Sequence, residues 1–157
     1  TYFDGEYTIY LRYKSVKVYC AQMATSSPKE YVTVNPSENY SIYYGYKTSN
    51  PDLCPPVSRE QEYRDSSIRA GHTHFRKVRV TVPNLMVIVD DFSFANTSGL
   101  PQNYGSGGDC YNRNRECPQG EFSISFKNTG FVMQRGTHWD SFGSSAVIKQ
   151  SHVSWNI

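Results

Sequence analysis

Between Tyr104 and Glu116 the chain gathers Tyr104, Asp109, Tyr111, Asn112, Asn114 and Glu116 within thirteen residues. Those types suit sugar recognition. A pyranose offers an apolar C–H face to an aromatic ring and a rim of hydroxyls to planar polar groups. A Ca2+ ion can share that work, because hard oxygen ligands on a loop leave coordination positions for vicinal hydroxyls. Asp109, Asn112 and Glu116 are the oxygen ligands expected for it. Thr137-His138-Trp139-Asp140 sets a further aromatic between polar groups in a glycine-bounded turn. The expected binding set is therefore Tyr104, Asp109, Asn112, Glu116, His138, Trp139 and Asp140. Each has a plainer role available: Asp109 as a turn cap, Trp139 as core, and residues 112–116 as filler.

Other chemistries find less support. Zinc proteolysis needs two histidines four apart on a helix with a glutamate between them. None of His72, His74, His138 and His152 has that spacing. His72 and His74 could supply two ligands from one strand face, but no third partner is visible, and surface histidines are the simpler reading. No Gly-x-Ser-x-Gly elbow occurs, and the cysteines read as oxidised, so a nucleophilic enzyme is not expected. The Asp90-Asp91 pair reads as an exposed strand end rather than a calcium site.

A loop so polar has no apolar stripe to bury, so strands and a disulfide must position it. Cys110 and Cys117 flank it, and Glu121 to Lys127 follows as a period-two strand with Phe122, Ile124 and Phe126 on one face. Upstream, Tyr7, Ile9 and Leu11, then Val16, Val18 and Cys20, alternate as a hairpin with one wet face. Val32 with Val34, and Val78 with Val80 and Val82, continue the pattern. Leu85 to Val89 is an unbroken apolar run suited to a strand covered on both faces. Phe131 to Gln134, Ala146 to Lys149 and His152 to Ile157 complete the strands. Ser58 and Gln61 could cap one short helix. The expectation is an all-β, antiparallel β-sandwich or distorted barrel with long disulfide-stapled loops, forming one domain over residues 1–157.

Composition agrees with that class. Aromatics reach 15%, with 13 Tyr and 8 Phe, which favours strands. A net charge of +2, with Lys and Arg dispersed, argues against nucleic acid as a partner. No apolar stretch approaches the roughly 20 residues of a membrane helix, so membrane insertion is not expected. The four cysteines, Cys20, Cys54, Cys110 and Cys117, lack CxxC spacing and allow three connectivities. Cys110–Cys117 with Cys20–Cys54 is preferred because the first pair is so close; Cys20 or Cys54 could instead bridge two chains. Even cysteines and two sequons, Asn39-Tyr40-Ser41 and Asn96-Thr97-Ser98, point to a secreted, extracellular protein. The start at Thr1, without methionine or apolar leader, reads as a mature form or an excised domain.

Ordered blocks then carry a resemblance: Asp4-Gly5-Glu6-Tyr7, Val18-Tyr19-Cys20-Ala21, Pro28-Lys29-Glu30-Tyr31-Val32-Thr33, Ser37-Glu38-Asn39, Gly108-Asp109-Cys110-Tyr111 and Cys117-Pro118-Gln119-Gly120. Phe92-x-Phe94-Ala95-x-Thr97-Ser98 and Thr129-Gly130 extend it. Over nearly the whole chain the sequence resembles the GON domain, which ends certain large secreted metalloproteases bearing thrombospondin repeats. The resemblance implies a non-catalytic domain tied to secretion and extracellular interaction, and it carries no ligand residues with it. Family members usually have further cysteines near both ends, and this chain has none before Cys20 or after Cys117. It therefore reads as a trimmed, self-standing version. The functional expectation is a lectin for cell-surface or secreted glycans, galactose-type and calcium-assisted, acting as a homodimer for avidity. The alternative is a non-catalytic protein-interaction or secretion module of a larger extracellular metalloprotease.

Overall fold

The computed structural model describes residues 2–43, 46–48, 62–64, 70–82, 84–108, 120–142 and 147–151. Among them lie fourteen strands and no helix. In chain order these are β1 (Gly5–Tyr10), β2 (Ser15–Ala21), β3 (Lys29–Thr33), β4 (Tyr40–Tyr43), β5 (Tyr46–Thr48), β6 (Glu62–Arg64), β7 (Gly71–Phe75), β8 (Lys77–Val80), β9 (Val87–Ile88), β10 (Ala95–Gly99), β11 (Ser106–Gly108), β12 (Gly120–Ser125), β13 (Asp140–Phe142) and β14 (Val147–Ser151). The chain is all-β, in the class its alternating pattern predicts. One five-stranded sheet runs β1-β2-β3-β8-β9 and the other β10-β7-β4-β12-β14. All pairings within them are antiparallel except β12 with β14, which run parallel.

Period-two alternation decides which side chains enter the core. Val16 and Val18 are buried on β2 while Ser15 and Lys17 between and beside them are exposed. Val32 pairs across to Val78, so both point to the same face, and Val80 continues it. Phe75, Phe122 and Ile124 answer from the second sheet, and all belong to one buried cluster with Val32, Val78 and Val80. Each such side chain contributes about 1.5–3 kcal/mol on leaving water. β7 and β8 are separated only by Arg76, whose N–H donates to Phe94 and whose carbonyl accepts from Val34. One nearly continuous stretch of chain thus serves both sheets.

The other face of the first sheet is also partly covered. Tyr31 is only 1% exposed although it pairs with Tyr19 and Arg79 on the side opposite Val32. The turn after β9 folds over it: Phe94 packs edge-on against both Tyr19 and Tyr31, and Asp91 accepts from the Tyr31 hydroxyl at 3.0 Å and from Arg79 at 3.3 Å. Asp91 is therefore an internal anchor, 6% exposed, where the sequence read an exposed strand end.

A polar hub ties loop to sheet. Asn39 is fully buried, and its amide nitrogen donates to the carbonyls of Asn35 (2.9 Å) and Ser125 (3.0 Å). Its oxygen accepts from the Ser125 N–H (3.1 Å) and the Tyr104 hydroxyl (2.6 Å). Both amide hydrogens and both oxygen lone pairs are used, which is the condition for burying an amide without a large cost.

Two segments differ from the sequence expectation. Of Leu85 to Val89 only Val87 and Ile88 form a strand, at a sheet edge, and Leu85, Met86 and Val89 are exposed rather than covered on both faces. Phe131 to Gln134 forms no strand but a loop against the core. The helix expected near Ser58 and the strand expected from His152 lie outside the described residues.

Candidate functional site

These two segments face each other across a cleft of about 680 Å3. Residues 84–89 form one wall and residues 131–140 the other, over a floor that includes Val32, Val80, Tyr104 and Phe126. Its lips are apolar: Met86 is 62% exposed, and Leu85, Val89 and Val132 are exposed with it. Asn103, Gln134, His138 and Asp140 supply polar groups around this surface.

The walls are held in place locally. Thr81 pins the first: its carbonyl accepts from the Leu85 N–H at 2.6 Å, its N–H donates to Met86 at 2.9 Å, and its hydroxyl accepts from the Met86 N–H at 3.2 Å. That tight loop forces Leu85 to a φ of 52°, a left-handed conformation unfavourable for a bulky side chain. The second wall begins at a turn where Thr129 donates to the Phe126 carbonyl and accepts from the Phe131 N–H. It ends at β13, which pairs in parallel with β11, bringing Ser106, Gly107 and Gly108 beside Asp140, Ser141 and Phe142. Gly105 permits this junction. At φ 70° it lies so close to the Trp139 indole that a Cβ there would meet the ring at 2.3 Å.

The expected site residues divide as follows. Tyr104 and the 138–140 triplet are brought together. The Tyr104 ring packs edge-on against Phe75 and Trp139 at 5.0 and 5.9 Å. Its hydroxyl is committed to Asn39, and burial pushes its pKa upward. What it offers the cleft is ring surface. Trp139 is half-buried, packing against the core, as its plainer role foresaw, and also lining the cleft. Its indole N–H is enclosed and has no hydrogen-bond partner among the described residues. His138 and Asp140 are exposed at the rim. Asp109, Asn112 and Glu116, the expected calcium ligands, lie outside the described residues, as do Cys54, Cys110 and Cys117. Missed by sequence reasoning were Leu85, Met86 and Val132; the signal available was an apolar run bounded by turns whose short length suits exposure as well as a strand.

Cys20 is half-buried with no sulfur partner among the described residues. Burial, then the charges of Glu30, Glu6 and Asp4, push its thiol pKa up. That favours an unreactive thiol over a nucleophile. His72 and His74 do share one face of β7, but His74 contacts the Pro36 carbonyl at 3.0 Å and its ring packs at a tilt against Tyr40. No group of three or more His, Cys, Asp or Glu residues is placed to hold a metal among the described residues.

Comparison with known proteins points to one family. The chain is 36% identical over 155 residues to human "A disintegrin and metalloproteinase with thrombospondin motifs 20", covering 94% of this chain and 8% of that protein. It is 36% identical over 145 residues to "A disintegrin and metalloproteinase with thrombospondin motifs gon-1" of Caenorhabditis elegans, covering 89% of this chain and 7% of the relative. The mouse protein of the first name is 34% identical over 159 residues. The chain thus spans less than a tenth of the length of these relatives. No solved structure is significantly similar to it. Residues 1–156 match the family model described as "GON domain", and the chain belongs to that family.

Proposed function

We propose that this GON domain is a non-catalytic protein-interaction module of a larger extracellular metalloprotease, and that the cleft between residues 84–89 and 131–140 is its docking surface. The observation that carries the reading is the ring of exposed apolar side chains, Leu85, Met86, Val89 and Val132, around a preformed concavity. Exposed apolar surface grouped around a cleft marks interaction sites on soluble proteins. A partner that fills it with an apolar side chain removes this surface from water.

The test is site-specific photo-cross-linking on cells and matrix that bear the partner. A photoreactive residue at Met86 or Val132 is expected to capture one protein, and the same residue at the exposed Tyr13, distant in sequence, is expected to capture none. Met86→Glu with Val132→Glu should then weaken that interaction by at least about 2 kcal/mol, roughly thirty-fold, because the charges must be desolvated against apolar surface. Equal capture from all three positions counts against the cleft.

A second reading, a galactose-type lectin assisted by calcium and acting as a homodimer, draws on His138, Trp139 and Asp140 along one rim. A glycan array with and without calcium tests it. Binding of a glycan that survives Met86→Glu but not Trp139→Ala would favour it over protein docking.

A further inference from the structure

The two sequons stand in opposite environments. Asn39 of Asn39-Tyr40-Ser41 is fully buried, and the nitrogen a glycan would occupy donates both its hydrogens, to Asn35 and Ser125. Attachment there removes one of those hydrogens and sets a sugar where the interior is closely packed. Asn96 of Asn96-Thr97-Ser98 lies on β10, an outer strand of the second sheet. Its cross-strand partner is His74, and that of Ser98 is His72, so acceptor and hydroxyl residue share the face turned away from Phe75 and Thr73. Asn96 and Ser98 are both exposed. Thr97 points the other way and is held by Thr73, their hydroxyls 3.1 Å apart, so the strand stays ordered without any help from the Asn96 side chain.

We propose that Asn96 is an N-glycosylation acceptor and that Asn39, although it reads as a sequon, is unmodified in the folded protein. The co-substrate is a polyprenyl-pyrophosphate-linked oligosaccharide. The Asn96 amide nitrogen forms a bond to the anomeric carbon and gives up one proton. The anomeric carbon–oxygen bond to phosphate breaks, and the polyprenyl pyrophosphate leaves with the electron pair. Nothing in the fold must move to accommodate the product, because the side chain already faces solvent.

The inference rests on the extracellular reading, and the experiment supplies the secretory route itself so that the two can fail separately. The chain is expressed behind a signal sequence in cultured eukaryotic cells. Secreted and cell-retained fractions are treated with a peptide N-glycosidase in heavy-oxygen water and mapped by mass spectrometry. The expected result is heavy-oxygen aspartate at position 96 and unmodified asparagine at position 39 in the secreted protein. Asn96→Gln and Ser98→Ala, both at exposed positions, should be secreted and should migrate with the deglycosylated parent. Unmodified Asn96 in both fractions would overturn the proposal, as would a glycan on Asn39 in secreted, folded protein. Neither result bears on whether the cleft binds a partner.

Discussion

On the proposed docking role, Leu85 holds stability and binding in tension. Its left-handed backbone costs on the order of 1–2 kcal/mol relative to a residue without a Cβ, yet its side chain sits exposed at the lip of the cleft. Leu85→Gly removes both the strain and the apolar contact. Its melting transition is expected to stay within about 1 kcal/mol of the parent, since relief of strain offsets lost contact and added unfolded-state freedom. Affinity for a partner bound in the proposed docking cleft should fall. A large loss of stability, read by chemical denaturation, would show that Leu85 is structural. At this scale the sequence was only partly legible. Tyr104 and Trp139 were visible as a pair of aromatics near polar groups, but the Tyr104–Asn39 bond joins residues 65 apart. No local pattern announces such a partner.

Among the elements, β10 depends on close approach at one glycine. A Cβ on Gly71 would lie 1.8 Å from the Leu100 carbonyl oxygen, which is backbone and has little room to yield. Gly71→Ala should therefore prise the ends of β7 and β10 apart at a cost of about 2–4 kcal/mol. Amide exchange should accelerate along Ala95–Gly99 while Val16 and Val18 on β2 keep their protection. Uniform acceleration across both sheets would mean that β10 is not a separable unit. Strands with one buried face, such as β2 and β8, could be read from the sequence because burial and period two coincide there. Residues 85–89 could not, because a run of apolar residues looks the same whether it is covered by a sheet or presented to a partner.

For the molecule as a whole, Asp91 links the turn over the first sheet to pH. Burial alone would raise its pKa, but hydrogen bonds from Ser93 and Tyr31 and the charge of Arg79 outweigh that and hold it below the ordinary 3.8. A carboxyl depressed on folding stabilises the native state above its unfolded value, and that contribution is lost as pH falls through the folded one. Asp91→Asn should cost about 1–2 kcal/mol near neutral pH. Its deficit should narrow as pH drops below 3.8. Urea titrations of both proteins across that range provide the check, and a deficit independent of pH would assign the loss to packing instead.

The Asn39 hub also sets a clock. Ser125, which both accepts from Asn39 and donates to it, lies 86 residues further along the chain. At synthesis rates of about 5–20 residues per second, Ser125 follows Asn39 by roughly 4 to 17 seconds. During that interval Asn39-Tyr40-Ser41 is an unprotected acceptor in any compartment that holds the transferase. If the transferase reaches it first, the attached sugar would block the buried Asn39 hub at the centre of the fold. On that route the yield of native protein would depend on translation speed as well as on thermodynamics.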